Sequence, residues 1–425
     1  MRRGPRLIAR LKPWRSGFNL MSAPELTWLY STQLYGIKLG LDNVHKLLAA
    51  LELPSTAMKF IHVAGTNGKG STCAFMHSMM KVAGVNAGLF TSPHLVRFNE
   101  RIRDAEREIT DEEIETGLKK LRLLVADWET HPTFFELAFA LALDWFRQRG
   151  LEWVILETGL GGRLDATNAI TPEVSVITRI GFDHMEQLGD SLAKIAVEKA
   201  GIIKPGVAVV TGMQDPSAMN VIEKAAKAKK SPLIVVDGPL SEVELGLAGP
   251  HQAWNAALAL ESVREAGIRL PALVLERGLR EVKWHGRFQK LRGDRLILDG
   301  AHNPEAAMVL AGTWEQVFPG EKAEIIFAAA KDKDALAILE ILTPIVAAWH
   351  FTAFKSPRAM PPEQLRELLT HFDAPKVPVR CHEDVASALQ FPATRRQLVC
   401  GSLYLVGEAL ALVEGEQGSF QSSLQ

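Results

Sequence analysis

Residues 59–72, KFIHVAGTNGKGST, narrow the folds open to this chain more than any other stretch. A short apolar, β-rich run enters a loop with glycine at 65, 68 and 70, and Cys73 to Ala83 continues as a helix. Strand, glycine-rich loop and helix are the parts of a phosphate cradle. Glycines let backbone wrap closely around phosphate oxygens with successive N–H groups turned inward. The helix N-terminus adds its dipole. Lys69 supplies a mobile positive charge, and Ser71 or Thr72 a hydroxyl for Mg²⁺. The spacing departs from the usual phosphate loop, because Gly70 separates Lys69 from Ser71 and Val63 stands where the first glycine is expected. A glycine-rich turn between a core strand and a core helix is the plain alternative.

A chain of 425 residues exceeds one ordinary core, so two or three domains are expected. Formal net charge is −1, which provides no global field for nucleic acid or an anionic membrane. No window approaches an uncharged spanning helix, so no membrane partner is expected. Cys73, Cys381 and Cys400 are scattered and odd in number, which points to reduced thiols in a cytoplasm. The basic start lacks an apolar core and a cleavage site, and residues 1–24 read as a disordered extension. Residues 416–425 read as a mobile tail.

Between these ends, strands and helices alternate, the pattern of a mainly parallel, doubly wound sheet. Polar clusters recur where predicted strands end, the place where open α/β folds hold ligands. Ser92-Pro93-His94-Leu95 follows one strand, and Glu157, with Gly159, Gly161 and Gly162, follows another. Glu157 reads as a metal-binding carboxylate, or as a turn acid. Asp183-His184 follows a third strand, where His184 is a ligand or a structural histidine. Glu198-Lys199 closes a helix and, taken alone, reads as an ion pair. Near Trp284 to Arg287 the alternation restarts, which places a boundary there and leaves Arg287 as a hinge cation or a surface arginine. The expected architecture is α/β: a P-loop-type, doubly wound, mainly parallel domain over 25–284, and a smaller Rossmann-like α/β domain over 285–415.

Taken in order, these motifs resemble folylpolyglutamate synthase, and more narrowly the bacterial bifunctional type that is also dihydrofolate synthase. The loop Gly65-Thr66-Asn67-Gly68-Lys69-Gly70-Ser71 is similar to the Mur-ligase form of the phosphate loop. Ser92-Pro93-His94-Leu95, Gly161 to Asn168, Asp183-His184, Glu198 to Ile202, His251 to Asn255, Gly286-Arg287-Phe288 and Asp299-Gly300-Ala301-His302-Asn303-Pro304 complete the likeness.

The resemblance implies an ATP-dependent amide ligase in which a substrate carboxylate becomes an acyl phosphate and the amine of L-glutamate displaces phosphate. It implies ATP held by Asn67, Gly68, Lys69, Gly70, Ser71, Asn255, Arg287 and Asp299. Mg²⁺ would be bound by Ser71 or Ser92 with Glu157, by His184, and by a carbamylated Lys199. Lys69, Lys199 and His302 would be catalytic, with His302 and the Gly401-Ser402 turn on the glutamate side. Dihydropteroate or a reduced folate would lie against Leu39, Gly40, Leu41, Thr133, Phe134, Phe135, Glu136, Leu164, Asp165 and Ala166. Phe134 or Phe135 would stack on the heteroaromatic ring, although helical spacing alone makes both core. A cytoplasmic monomer acting on small molecules, without nucleic acid, is expected. A peptidoglycan-type Mur ligase and a regulatory P-loop NTPase are the competing readings. The first lacks its extra N-terminal nucleotide-sugar domain here, and the second has no need of Glu157, His184, Lys199 and Asp299 together.

Overall fold

The computed structural model describes residues 23–35, 40–54, 57–373, 376–415 and 421. Leu39, the basic start through Ser22 and most of the C-terminal tail lie outside the described residues. The first sheet is built from β1 (Lys59–Ala64), β2 (Ala87–Phe90), β3 (Ile102–Arg103), β4 (Trp153–Glu157), β5 (Val174–Ile177), β6 (Ala208–Gly212) and β7 (Leu233–Val236). Their order is β3-β2-β4-β1-β5-β6-β7, parallel except for the β2–β3 edge. The central strands read as continuous apolar runs because helices cover both faces. On one side the core gathers residues such as Phe60, Phe90, Phe139 and Leu156, and on the other Ile61, Val63, Phe75 and Ile155. Alternate residues of β1 therefore serve opposite cores, as a period of two requires.

The second sheet holds β8 (Gln289–Leu291), β9 (Leu296–Leu298), β10 (Ala323–Phe327), β11 (Val346–Phe351), β12 (Val379–Cys381) and β13 (Gln397–Cys400). Its order is β12-β11-β10-β13-β9-β8, with only β8 antiparallel. It too is sandwiched between two apolar layers, one around Trp314 and Trp349, the other around Leu298, Ile326 and Leu405. Leu95 and Val96, from the loop after β2, are buried in that second layer. A side chain added at Gly407 would lie 2.0 Å from the Leu95 carbonyl. Apolar burial of this loop docks the two sheet units together.

Two edge strands, β3 and β8, escape a sequence reading. Each is two or three residues long and lacks an apolar run, so only pairing with a neighbour defines it. The helix after β1 begins at Lys69, four residues before the expected Cys73, because Gly68 takes a left-handed φ of 89° as its cap. No helix of the described residues is long and apolar enough to cross a membrane.

Candidate functional site

The C-terminal ends of β1, β4, β5, β9, β10 and β13 open into one cavity of about 1210 Å³. The loop after β1 forms its floor. The N–H groups of Thr66 and Asn67 donate to the Arg179 carbonyl at 2.9 and 3.2 Å, and Thr72 N–H makes the first helical bond, to Gly68. The amides of Lys69, Gly70 and Ser71 are thereby left at an open helix N-terminus, the arrangement that binds anions. Gly70 packs closely on Trp284, and a side chain there would sit 3.0 Å from the indole nitrogen. The residue that departs from the ordinary phosphate-loop spacing thus lies against Trp284. Lys69 Nζ folds back onto the carbonyls of Gly65 and Thr66 at 3.0 and 3.2 Å.

Beside the loop lie buried oxygens. Glu157, at the end of β4, accepts the Ser92 N–H at 3.2 Å, and burial raises its pKa against the pull of Lys69. The Ser92 hydroxyl is buried without a hydrogen-bond partner. The Ser71 hydroxyl receives only a long 3.4 Å bond from Gln252. Carboxylate and hydroxyl oxygens of this kind suit a hard divalent cation. Among the described residues no three His, Cys, Asp or Glu side chains form a metal cluster by themselves. A cation here would therefore need these hydroxyls and oxygens of a bound phosphate.

Lys199 is 4% exposed, and its ammonium donates to the Gly65 carbonyl at 2.7 Å. Burial first, then the charge of Lys69, lowers its pKa to about 7. The helix-end ion pair with Glu198 is not formed, because Glu198 turns to Arg163 at 2.9 Å. His184 borders the cavity with its pKa lowered to about 4 by burial, despite the Asp183 charge. Asp183 stands in the sequence only as part of the Asp183-His184 motif, with no role of its own. It pairs with Lys333 from the loop after β10, and its Oδ2 lies 3.4 Å from His302 Nε2. Burial alone would raise its pKa, but His302, His184 and Lys333 hold it well below the carboxylate range. Its position after β5 was a signal for Asp183, whereas nothing in the local sequence singles out Lys333.

From the second sheet, Asp299 accepts the N–H groups of Phe288 and Ala301 at 2.8 and 2.9 Å, which fixes the turn carrying Arg287 and His302. Burial raises the Asp299 pKa against the charge of Arg287. His302 Nδ1–H donates to the Gly300 carbonyl at 2.7 Å, which aims Nε2 at Asp183. Arg287 and Asn255 both border the cavity.

At the far end Gly40, Phe134, Phe135, Leu164 and Ala166 line the wall. Phe134 is buried, edge-on to Phe98, while half-buried Phe135 packs on Phe90. Thr133, Glu136, Asp165 and Ser402 also border the cavity, and each is engaged in local hydrogen bonding. Leu41 packs into the apolar core instead of the cavity. Glu136 and Thr133 cap their own helix, with Glu136 Oε2 accepting the Thr133 N–H at 2.7 Å and its hydroxyl at 2.9 Å. Asp165 accepts N–H groups from Gly159, Leu160 and Thr167, and the Thr167 hydroxyl at 2.5 Å, so its carboxylate organises the glycine-rich loop. The Ser402 hydroxyl caps the last helix by accepting the Tyr404 N–H at 3.2 Å. Asn67 borders the cavity, with its N–H donating to the Arg179 carbonyl and its side-chain amide bonded to Glu305 and Asn303.

Two family models match this chain: the Mur ligase middle domain over residues 63–237, and the Mur ligase glutamate ligase domain over 286–402. The chain is 34% identical to a dihydrofolate synthase/folylpolyglutamate synthase of Bacillus subtilis, over 90% of this chain and 96% of that one. An Escherichia coli FolC structure in complex with DHPP and ADP is 30% identical, with a TM-score of 0.82, over 93% of this chain and 99% of that one. A bifunctional folylpolyglutamate synthase/dihydrofolate synthase of Yersinia pestis, complexed with AMPPNP and Mn ion, is 31% identical, with a TM-score of 0.82, over 92% and 98%. With that agreement in sequence, domain order and fold, the chain belongs to the dihydrofolate synthase/folylpolyglutamate synthase family of Mur ligases.

Proposed function

We propose that this chain is an ATP-dependent ligase that joins L-glutamate to dihydropteroate and to reduced folates. The observation that carries the reading is the single cavity that joins an open helix N-terminus, buried metal-type oxygens and a cationic wall from the second sheet. Anionic triphosphate fits the amides of Lys69, Gly70 and Ser71, with Lys69 offsetting charge as the γ-phosphoryl group moves. The acceptor is the substrate carboxylate, which becomes an acyl phosphate as ADP departs. The glutamate amine then attacks the acyl carbon, and phosphate leaves with its electron pair as the amine gives up a proton. His302, whose Nε2 lies 3.4 Å from Asp183 at the junction of the two sheets, is placed to take that proton.

Mg²⁺ fits the donors present, with Ser71, Ser92 and Glu157 at one position and His184 at another. When bound it neutralises phosphate charge. Lys199 has the environment for carbamylation. An amine with a pKa near 7 is substantially neutral at physiological pH, so its lone pair can add to carbon dioxide with loss of one proton. The carboxylate-like product would face the metal in place of an ammonium. The apolar wall that includes Phe134, Phe135 and Leu164 suits a pterin ring, with half-buried Phe135 the residue more open to stacking. We further place the enzyme in the cytoplasm as a monomer, which is supported by three unpaired cysteines and a cavity completed within one chain.

The test is direct. Purified protein is incubated with ATP, Mg²⁺, L-glutamate and either dihydropteroate or tetrahydrofolate, and the products are weighed by mass spectrometry. Dihydrofolate from the first and glutamate-extended folate from the second are expected. Extension of tetrahydrofolate alone would restrict the enzyme to polyglutamylation. A product only with a UDP-muramoyl acceptor would replace this reading with that of a peptidoglycan ligase.

A further inference from the structure

A ring of three residues crosses from one sheet unit to the other beside the phosphate loop. Asn67 N–H donates to the Arg179 carbonyl at 3.2 Å. The Arg179 guanidinium donates to Glu305 Oε1 at 2.7 Å. Glu305 Oε2 in turn accepts the Asn67 side-chain N–H at 2.9 Å. Glu305 stands in the first turn of the helix Pro304–Val317, two residues after Asn303 and three after His302. The ring needs Gly181, since a side chain there would lie 2.1 Å from Glu305 Oε2. Glu305 borders the cavity, is bonded to the phosphate loop and rides on the segment that carries His302.

We infer that Glu305 is a positioning residue that latches the second sheet unit onto the phosphate loop, so that acyl phosphate forms only where the amine-bearing half is docked. Arg179 holds the loop through its carbonyl and the latch through its side chain. A change in either end of the ring is passed to the other. Without the latch the nucleotide still meets the amides of Lys69, Gly70 and Ser71, but His302 and Lys333 hold to the first unit through Asp183 without the ring and are fixed less firmly over the product of phosphoryl transfer. Water then reaches the acyl phosphate, which splits to the original carboxylate and inorganic phosphate, and ATP is consumed without an amide.

The catalytic readout rests on the ligase function proposed above, so a second readout is independent of it. With Glu305→Ala, ADP affinity is expected to stay within about threefold. Ligation turnover is expected to fall by about tenfold or more, as a misplaced reacting pair does. The ratio of ADP to amide product rises above one. Glu305→Gln, which keeps an acceptor for Asn67 but loses the charge facing Arg179, lies between. Arg179→Ala reproduces the uncoupling, and the double variant is no worse than either single one. Small-angle scattering with ADP alone shows a larger radius of gyration for Glu305→Ala than for the unmutated chain. A ratio that stays at one, ADP binding that weakens in step with turnover, or equal radii would overturn the latch. An unmutated chain that makes no amide would remove the ligase reading and leave the latch to be judged by scattering.

Discussion

The two sheets turn the same ends of their strands toward one cavity but equip it in different ways. The first supplies fixed dipoles and buried oxygens: the amides after β1, Glu157 after β4 and Asp183 after β5. The second supplies cations and an imidazole, on loops whose own polar side chains are engaged in holding backbone. Asn303 and Ser402 cap helices, and both oxygens of Asp299 accept main-chain N–H groups. Stabilising charge on a moving phosphoryl group calls for donors that do not reorganise, which favours a rigid glycine loop. Receiving a small zwitterion calls for charges of both signs on a unit that can dock and undock.

The largest expected effect comes from the first half. Lys69→Ala removes the mobile cation from the phosphate loop, and kcat should fall by about 10²–10³-fold, the range for loss of one preorganised donor. The sheet core is untouched by the change, so thermal unfolding should move little. A loss below tenfold, measured at saturating ATP, would break the assignment of phosphoryl transfer to the first sheet.

Lys199 sharpens the comparison, because its role depends on burial. Lys199→Ala should lower activity by about 10–100-fold, the usual effect of losing a group that supports a metal site. A small added carboxylate should restore part of it. Full activity without any additive would sink the carbamate. The pH dependence has a definite sign. The folded pKa is near 7 against an ordinary 10.5, so between these values the unfolded chain binds more protons than the folded one. Stability from this group therefore rises with pH across that window and is absent below about 7. Below the same point the amine is protonated and cannot add carbon dioxide. Activity should drop as pH falls through 7, and the carboxylate-rescued variant should lack that limb.

How much of this was legible in the sequence follows the same division. The glycine loop, Glu157, His184 and Lys199 stand out because each follows a readable strand or closes a readable helix. Both apolar sandwiches announce themselves as strand runs. Lys333, Glu305 and Arg179 do not, because their partners lie across the gap between the two units and no local pattern encodes that docking. Local bonding is equally silent in the sequence. Thr133, Glu136, Asp165 and Ser402 all border the cavity, and each also bonds to nearby backbone. A sequence shows the residue type and leaves open which of the two partners it takes.

Ser402 offers the smallest effect and the cleanest contrast with Lys69. Its hydroxyl accepts the Tyr404 N–H at the start of the helix Leu403–Glu414, which packs Leu405, Val406 and Leu410 beneath the second sheet. Loss of a serine N-cap costs about 1 kcal/mol, so Ser402→Ala should lower the melting temperature by about 1–4 °C. If the cap is its whole contribution, KM for glutamate stays near that of the unmutated enzyme, and Ser402→Asp, which can also cap, recovers the melting temperature. A raised KM for glutamate with an unchanged melting temperature would make the hydroxyl a substrate ligand. The second sheet would then share with the first the use of preorganised neutral donors, and the contrast between the two halves would fail at this position.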